Sequence, residues 1–183
     1  MTYFFFDFKD TGKQDTRALL SSILVQLGNQ SETYFDILLA SYSVHHRGSE
    51  QPSDRALSRC FEDMLRVPGE APIYAIIDAL DECPNTTGMP SPRDKALTLI
   101  ENLVNLLLPN LRLCITSRPE IDIRTSLEPL TSNRVSLHDQ DGQREDIANF
   151  VSSMVYSDKN MRRWRDQDKE LVVRTLADRA DGM

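Results

Sequence analysis

The sequence has too few cysteines for a disulfide framework, and they lie too far apart for a zinc site. Cys60, Cys83 and Cys114 are odd in number and include no Cys-x-x-Cys pair, a usage that suits a reducing compartment. Long apolar runs are missing as well. Nothing approaches the roughly 20 consecutive apolar residues of a membrane span. The aromatic run Tyr3-Phe4-Phe5-Phe6 has neither a basic lead nor a cleavage site, so it does not read as a signal peptide. Positive charge is in deficit: 21 Lys and Arg against 28 Asp and Glu leave a net charge of −7. A field of that sign repels phosphate backbones, and nucleic acid is excluded as a first partner. The histidines His45, His46 and His138 have no carboxylate or cysteine at ligand spacing. What remains is a soluble, cytoplasmic protein with no membrane association.

What is present is the pattern of a globular chain. Its 183 residues are 40% apolar and 27% charged, enough for one domain with a real core, or for one domain and the start of another. Residues 3–8 predict a strand, stopped by Lys9-Asp10-Thr11-Gly12. Asp15 or Thr16 caps a helix carrying Leu19, Leu20, Ile23, Leu24 and Leu27 at helical spacing, with Gly28-Asn29 as its stop. Further helices are predicted over residues 31–42 and from Ser53 through Leu65. The continuous run Ile73–Ile77, introduced by Pro72 and ended by Asp78, predicts a strand buried on both faces. A loop over Pro84–Pro92 leads to a helix over Arg93–Leu108, then to strands at Leu111–Thr116 and Arg134–Leu137 with a brief helix, Ile121–Leu127, between them. From Gly142 onward the pattern is helical only. Strands alternating with helices predict an α/β fold, a parallel sheet flanked by helices, followed by the beginning of a helical subdomain. The boundary is placed so that residues 1–140 form the first part and 141–183 the second.

Two strand ends carry chemistry. Asp78 ends the apolar run, and ligands of open parallel sheets bind at that carboxyl end. A carboxylate there can hold magnesium through its water shell, and Asp81 or Glu82 can orient or deprotonate an attacking water. Taken alone, such acids equally well cap a helix or lie in solvent. The next strand ends in Thr116-Ser117-Arg118, two hydroxyls and a permanently charged fork suited to a terminal phosphate. An anionic and a cationic strand end in succession is the rarer pattern. By contrast, Met161-Arg162-Arg163-Trp164-Arg165 is a short basic patch followed by Asp166, Asp168 and Glu170, and reads as a solvated helix surface.

The segments Ile-Ile-Asp-Ala-Leu-Asp-Glu-Cys (76–83) and Cys-Ile-Thr-Ser-Arg-Pro-Glu (114–120) resemble the Walker B and sensor 1 motifs of NACHT domains. These are P-loop NTPases of the class of signal-transduction ATPases with numerous domains. The small Ala79 after the first acid, and an acid placed as Asp81 is, match hallmarks of that family. Tyr-Phe-Phe-Phe-Asp-Phe-Lys-Asp, the leucine-rich helix after it and Ala-Asp-Gly-Met (180–183) resemble the fungal NOD-like receptor branch with nephrocystin-like N-terminal domains. The resemblance implies that Asp78 binds magnesium, that Asp81 is the catalytic acid with Glu82 as helper, and that Thr116, Ser117 and Arg118 face the nucleotide. It further implies ATP and Mg²⁺ as cofactors of the complete domain. Self-oligomerisation, and downstream repeats such as ankyrin or WD40 that sense a trigger, follow from the same resemblance.

One part of the pattern is missing. Such domains begin with a strand and the loop Gly-x-x-x-x-Gly-Lys-Ser/Thr, whose amides and lysine cradle phosphates. Here Gly12-Lys13 has no partner glycine and continues Gln14-Asp15, which reads as a turn. The sequence therefore resembles a fragment lacking its first strand and phosphate loop, with Met1 an internal methionine or misplaced start. Without that positive cradle the three acids repel a nucleotide. The chain alone is expected to bind none tightly and to hydrolyse no ATP at a meaningful rate. The alternative is a non-catalytic interaction module that kept the fold and lost nucleotide binding. A hydrolase acting on another substrate is the weakest reading, because no nucleophile accompanies the acids.

Overall fold

The computed structural model describes residues 1–86, 88–136 and 141–179, with the backbone alone for 141–144. The chain separates into two compact units, Met1–Thr131 and Ser132–Met183. In the first unit a three-stranded parallel sheet has the order β1 (Thr2–Phe5), β2 (Ile73–Asp78), β3 (Leu111–Ile115). The register sets Tyr3 beside Ile76 and Ile76 beside Cys114. Both outer strands therefore deliver their carboxyl ends to the rim where Asp78 ends β2.

Five helices belong to this unit: α1 (Thr16–Gly28), α2 (Glu32–Val44), α3 (Asp54–Leu65), α4 (Pro92–Asn105) and α5 (Ile121–Leu127). The starts of α1, α3 and α4 have a local cause. The Asp15 carboxylate accepts from the Ala18 amide at 2.8 Å, and Ser53 does the same for Ala56 at 3.2 Å. Before α4, Ser91 and Asp94 exchange side-chain and backbone bonds around Pro92 at the first helical position. Hydrogen bonding from Ser91, its backbone amide first and its side chain second, holds the Asp94 carboxyl below its ordinary pKa. Burying Leu19, Leu20, Ile23, Leu24 and Leu27 fixes α1 against the sheet, and Phe61, Met64 and Ile100 complete the core from α3 and α4. Gly28 ends α1 where a side chain would be tight, since a Cβ there would lie 3.1 Å from the Leu38 side chain of α2. Leu107, expected within the leucine stripe of α4, instead follows the helix end at φ 51° and is exposed.

Two sequence expectations are corrected. The run Ile73–Ile77 is buried on one face only: Ile73, Ala75 and Ile77 point inward, whereas Tyr74 is 55% exposed. An uninterrupted apolar run cannot by itself tell one covered face from two. Nor does a strand form at Arg134–Ser136; Leu137 and His138 lie outside the described residues. Val135, the apolar residue of Ser132–Ser136, is exposed, and strand formation depends on neighbours to pack against more than on propensity.

In the second unit, α6 (Asp141–Ser157) packs against α7 (Asp166–Arg179). Lys169 is buried between them, its ammonium 3.4 Å from Asp166 and 5.1 Å from the centre of the Tyr156 ring. Phe150, Met154, Leu171 and Leu176 remain exposed. The basic patch falls in and just after a 3-10 turn over Asn160–Arg163, and its Arg165 pairs with Asp168 at 3.0 Å. The four residues Ala180–Met183 lie outside the described residues.

Candidate functional site

The chain leaves β2 at Asp78 by a sharp turn. Ala79 adopts a left-handed conformation, φ 52° and ψ 47°, and starts the 3-10 turn Leu80–Glu82. That geometry drives Leu80 into the core and brings its amide to the Thr116 carbonyl at 3.0 Å. A β-branched or bulky residue is strained at such angles, which is a physical reason for a small side chain at this position.

Five of the six polar residues predicted from the two strand ends, Asp78, Asp81, Thr116, Ser117 and Arg118, share one rim. The Thr116 hydroxyl donates to an Asp78 carboxylate oxygen and accepts from the Ala79 amide at 3.1 Å. Asp81, whose side chain is only 10% exposed, accepts the Arg118 amide at 2.9 Å and has the Arg118 guanidinium 3.5 Å away. Arg118 itself projects into solvent at 79% exposure, with Ser117 exposed beside it. Glu82 turns the other way and accepts the Phe8 amide at 3.3 Å, tying the exit of β1 to the acid turn. The adjacent strands thus interlock: β2 contributes the anions, β3 the hydroxyl and the cation.

Beneath this rim lies a residue without any sequence signal. Arg93, in the first turn of α4, is 8% exposed. Its guanidinium donates to the Cys83 carbonyl at 2.9 Å, to the Asp81 carbonyl, and to the Asp122 carboxylate of α5 at 3.2 Å. Asp122 also accepts from Asn85 at 2.9 Å, and Asn85 accepts from Ser91 at 3.1 Å. Arg93 therefore clamps the backbone of the acid turn from below and joins it to α4 and α5. An arginine after Ser-Pro looks like an ordinary helix start, and no spacing connects it to Asp122. Cys83 sits above the clamp with its thiol pushed up to about 12 by burial, against the opposing pull of Arg93 and with a further push from Asp15. It donates to the Gln14 carbonyl at 3.3 Å, so it packs as a neutral thiol and is no nucleophile.

Among the described residues no group of three or more His, Cys, Asp or Glu is placed to hold a metal. Magnesium brought by a triphosphate asks for less, one or two carboxylates with phosphate oxygens and water completing the shell. Asp78 fits that demand: it is exposed at the rim, and its second oxygen makes no hydrogen bond among the described residues.

A parallel α/β domain that gathers acids and an arginine at the carboxyl rim of adjacent strands belongs to the class whose ligands bind at strand ends. The family model described as nephrocystin 3, N-terminal, matches residues 1–118, and the chain belongs to that family. No curated protein and no solved structure matches the chain. Among the described residues no helix is long and apolar enough to cross a membrane.

Proposed function

We propose that this domain is the acid-and-sensor part of a NACHT-type nucleotide site of the fungal NOD-like receptor kind. In its parent protein it would act as an ATP-dependent conformational switch for signalling and oligomerisation. The observation that supports this reading most is the placement of Asp78 and Arg118 on one rim, interlocked through Thr116 and Asp81. Asp78 would face magnesium, and Arg118, extended into solvent, would meet the terminal phosphate. Magnesium held there would supply neutralisation of phosphate charge. Asp81, now paired with Arg118, would be freed as acid or base when a phosphate draws the guanidinium away. That exchange gives the two states different contacts, which is what a nucleotide switch requires. Downstream repeats and self-association remain part of this proposal for the parent protein.

The second reading, an interaction module without nucleotide binding, is favoured by one specific observation. Asp81 and Glu82 are both satisfied by protein donors. Titrating the chain with ATP and Mg²⁺ while recording backbone amide shifts separates the two. The switch reading expects weak binding, about millimolar, with shifts at Asp78, Ala79 and Thr116–Arg118 that disappear in Asp78→Asn. No shift at the rim, or shifts unaffected by that substitution, would give the site to the interaction module.

A further inference from the structure

We propose that the groove between α2 and α3 binds a small anionic amphiphile: an apolar chain or ring carrying one carboxylate or phosphate. The cavity measures about 730 Å³, within the range of small-molecule sites. Its apolar lining comes from Ile37, Ala40, Val44, Ala56 and Cys60, with Cys60 buried at the floor and Ala40 and Val44 exposed at the margin. Small residues at Ala40, Ser41 and Ala56 leave the space between the two helices unfilled, where larger side chains would close it. Burial raises the Cys60 thiol above its ordinary pKa, Ser41 opposing and Asp63 adding to the shift. The floor is therefore apolar and uncharged.

The rim supplies the complementary charge. Arg55 and Arg59 stand one helical turn apart on α3 and line the cavity, and neither makes an ion pair among the described residues. Their neighbours differ: Arg17 is held by Asp54 at 2.7 Å and Arg66 approaches Glu62 at 3.9 Å. In a chain of net charge −7, two unpaired arginines beside an apolar cavity mark a local site for an anion. His45 lines the same end, its Nδ1 2.8 Å from the Ser41 carbonyl. Asp63, one turn beyond Arg59, also lines the cavity. It disfavours an anion there and assigns the head group to the Arg55–Arg59 end. Val44, His45 and Ser53 wall the cavity beside the α2–α3 connection, which suits a short molecule better than a helix running through.

The site shares no residue with the acid rim, so its test is independent of the nucleotide reading. The chain is titrated calorimetrically with monomeric dodecyl phosphate. One saturable site is expected, with affinity falling about tenfold or more in Arg55→Glu/Arg59→Glu. Ala40→Trp, at an exposed position, should fill the groove and abolish binding while leaving thermal unfolding unchanged. Dodecyltrimethylammonium should not compete. Equal binding by the charge-reversed variant, competition by the cation, or no saturable binding at all would overturn the proposal. So would binding confined to vesicles of phosphatidylcholine and phosphatidate, since that would make the ligand a lipid surface.

Discussion

At the scale of single residues, Arg93 is where the site is most vulnerable. It satisfies two backbone carbonyls and a carboxylate from a nearly buried position. Arg93→Met keeps much of the apolar stem but leaves these acceptors unpaired, at a cost of about 2–4 kcal/mol. Arg93→Lys retains charge without the fork and should lose roughly half as much. Urea unfolding measures both, and a loss under about 0.5 kcal/mol for Arg93→Met, the level of an ordinary surface change, would refute the clamp. Ala79 predicts the opposite sign. At φ 52° its Cβ is tolerated with strain, so Ala79→Gly should be neutral or stabilising by up to about 1 kcal/mol. Ala79→Val should destabilise by about 2 kcal/mol. A glycine variant less stable than wild type by the same measure would mean the angle is imposed by something other than the turn. These two residues also mark what could be read from sequence. The acids and the arginine of the rim were legible because Asp78 ends one apolar run, with Asp81 and Glu82 close behind it, and Thr116-Ser117-Arg118 follows the next. Arg93 was not, because its partners come from two segments, the acid turn and α5, whose meeting with α4 depends on tertiary packing.

Among elements, the exposed margin of β1 is protected in an unusual way. Gln26 in the last turn of α1 and Gln30 just beyond its end pair with free backbone of β1 and of Met1 before it. Gln26 accepts the Tyr3 amide at 3.0 Å and donates to the Tyr3 carbonyl at 2.7 Å. Gln30 accepts from the Met1 terminal ammonium and donates to the Met1 carbonyl, both at 2.9 Å. Gln26, bonding both the amide and the carbonyl of Tyr3, thus imitates a neighbouring strand. Unpaired strand edges template association with other chains. The double variant Gln26→Ala/Gln30→Ala should lose about 1–2 kcal/mol and show faster amide exchange at Tyr3. Unchanged protection there would show that the edge is held by β2 alone. The helix α1 itself was legible, since five apolar residues repeat on one face and Asp15 caps it. Its polar residues acquire meaning only once β1 is known to lie at the sheet margin, which no local pattern reveals. Over its described residues, Arg134–Ser136, the strand expected at Arg134–Leu137 does not form, for the related reason that pairing, not propensity, makes a strand.

For the molecule as a whole, the one-sided burial of the sheet matters most. Tyr3, Ile76 and Cys114 form a row across all three strands, Tyr74 stands beside Arg112, and Phe5 lies under the Lys13 ammonium at 4.0 Å. Tyr3, Phe5 and Tyr74 are 58%, 42% and 55% exposed. Parallel sheets are ordinarily covered on both faces, and a contiguous apolar surface of this kind drives association. Opposing it is the net charge of −7, which repels copies of the chain over about 8–10 Å at moderate ionic strength. The two effects respond to salt in opposite directions: screening removes the repulsion and leaves the apolar attraction intact. Sedimentation should therefore show self-association that grows as salt is raised. Tyr3→Thr/Tyr74→Thr keeps strand-forming residues while removing the rings, so it should suppress that growth and change unfolding free energy by no more than about 0.5 kcal/mol. If the double variant instead unfolds with a loss above about 2 kcal/mol, the rings behave as core, as truncated core side chains do. The face is then covered in solution rather than bare.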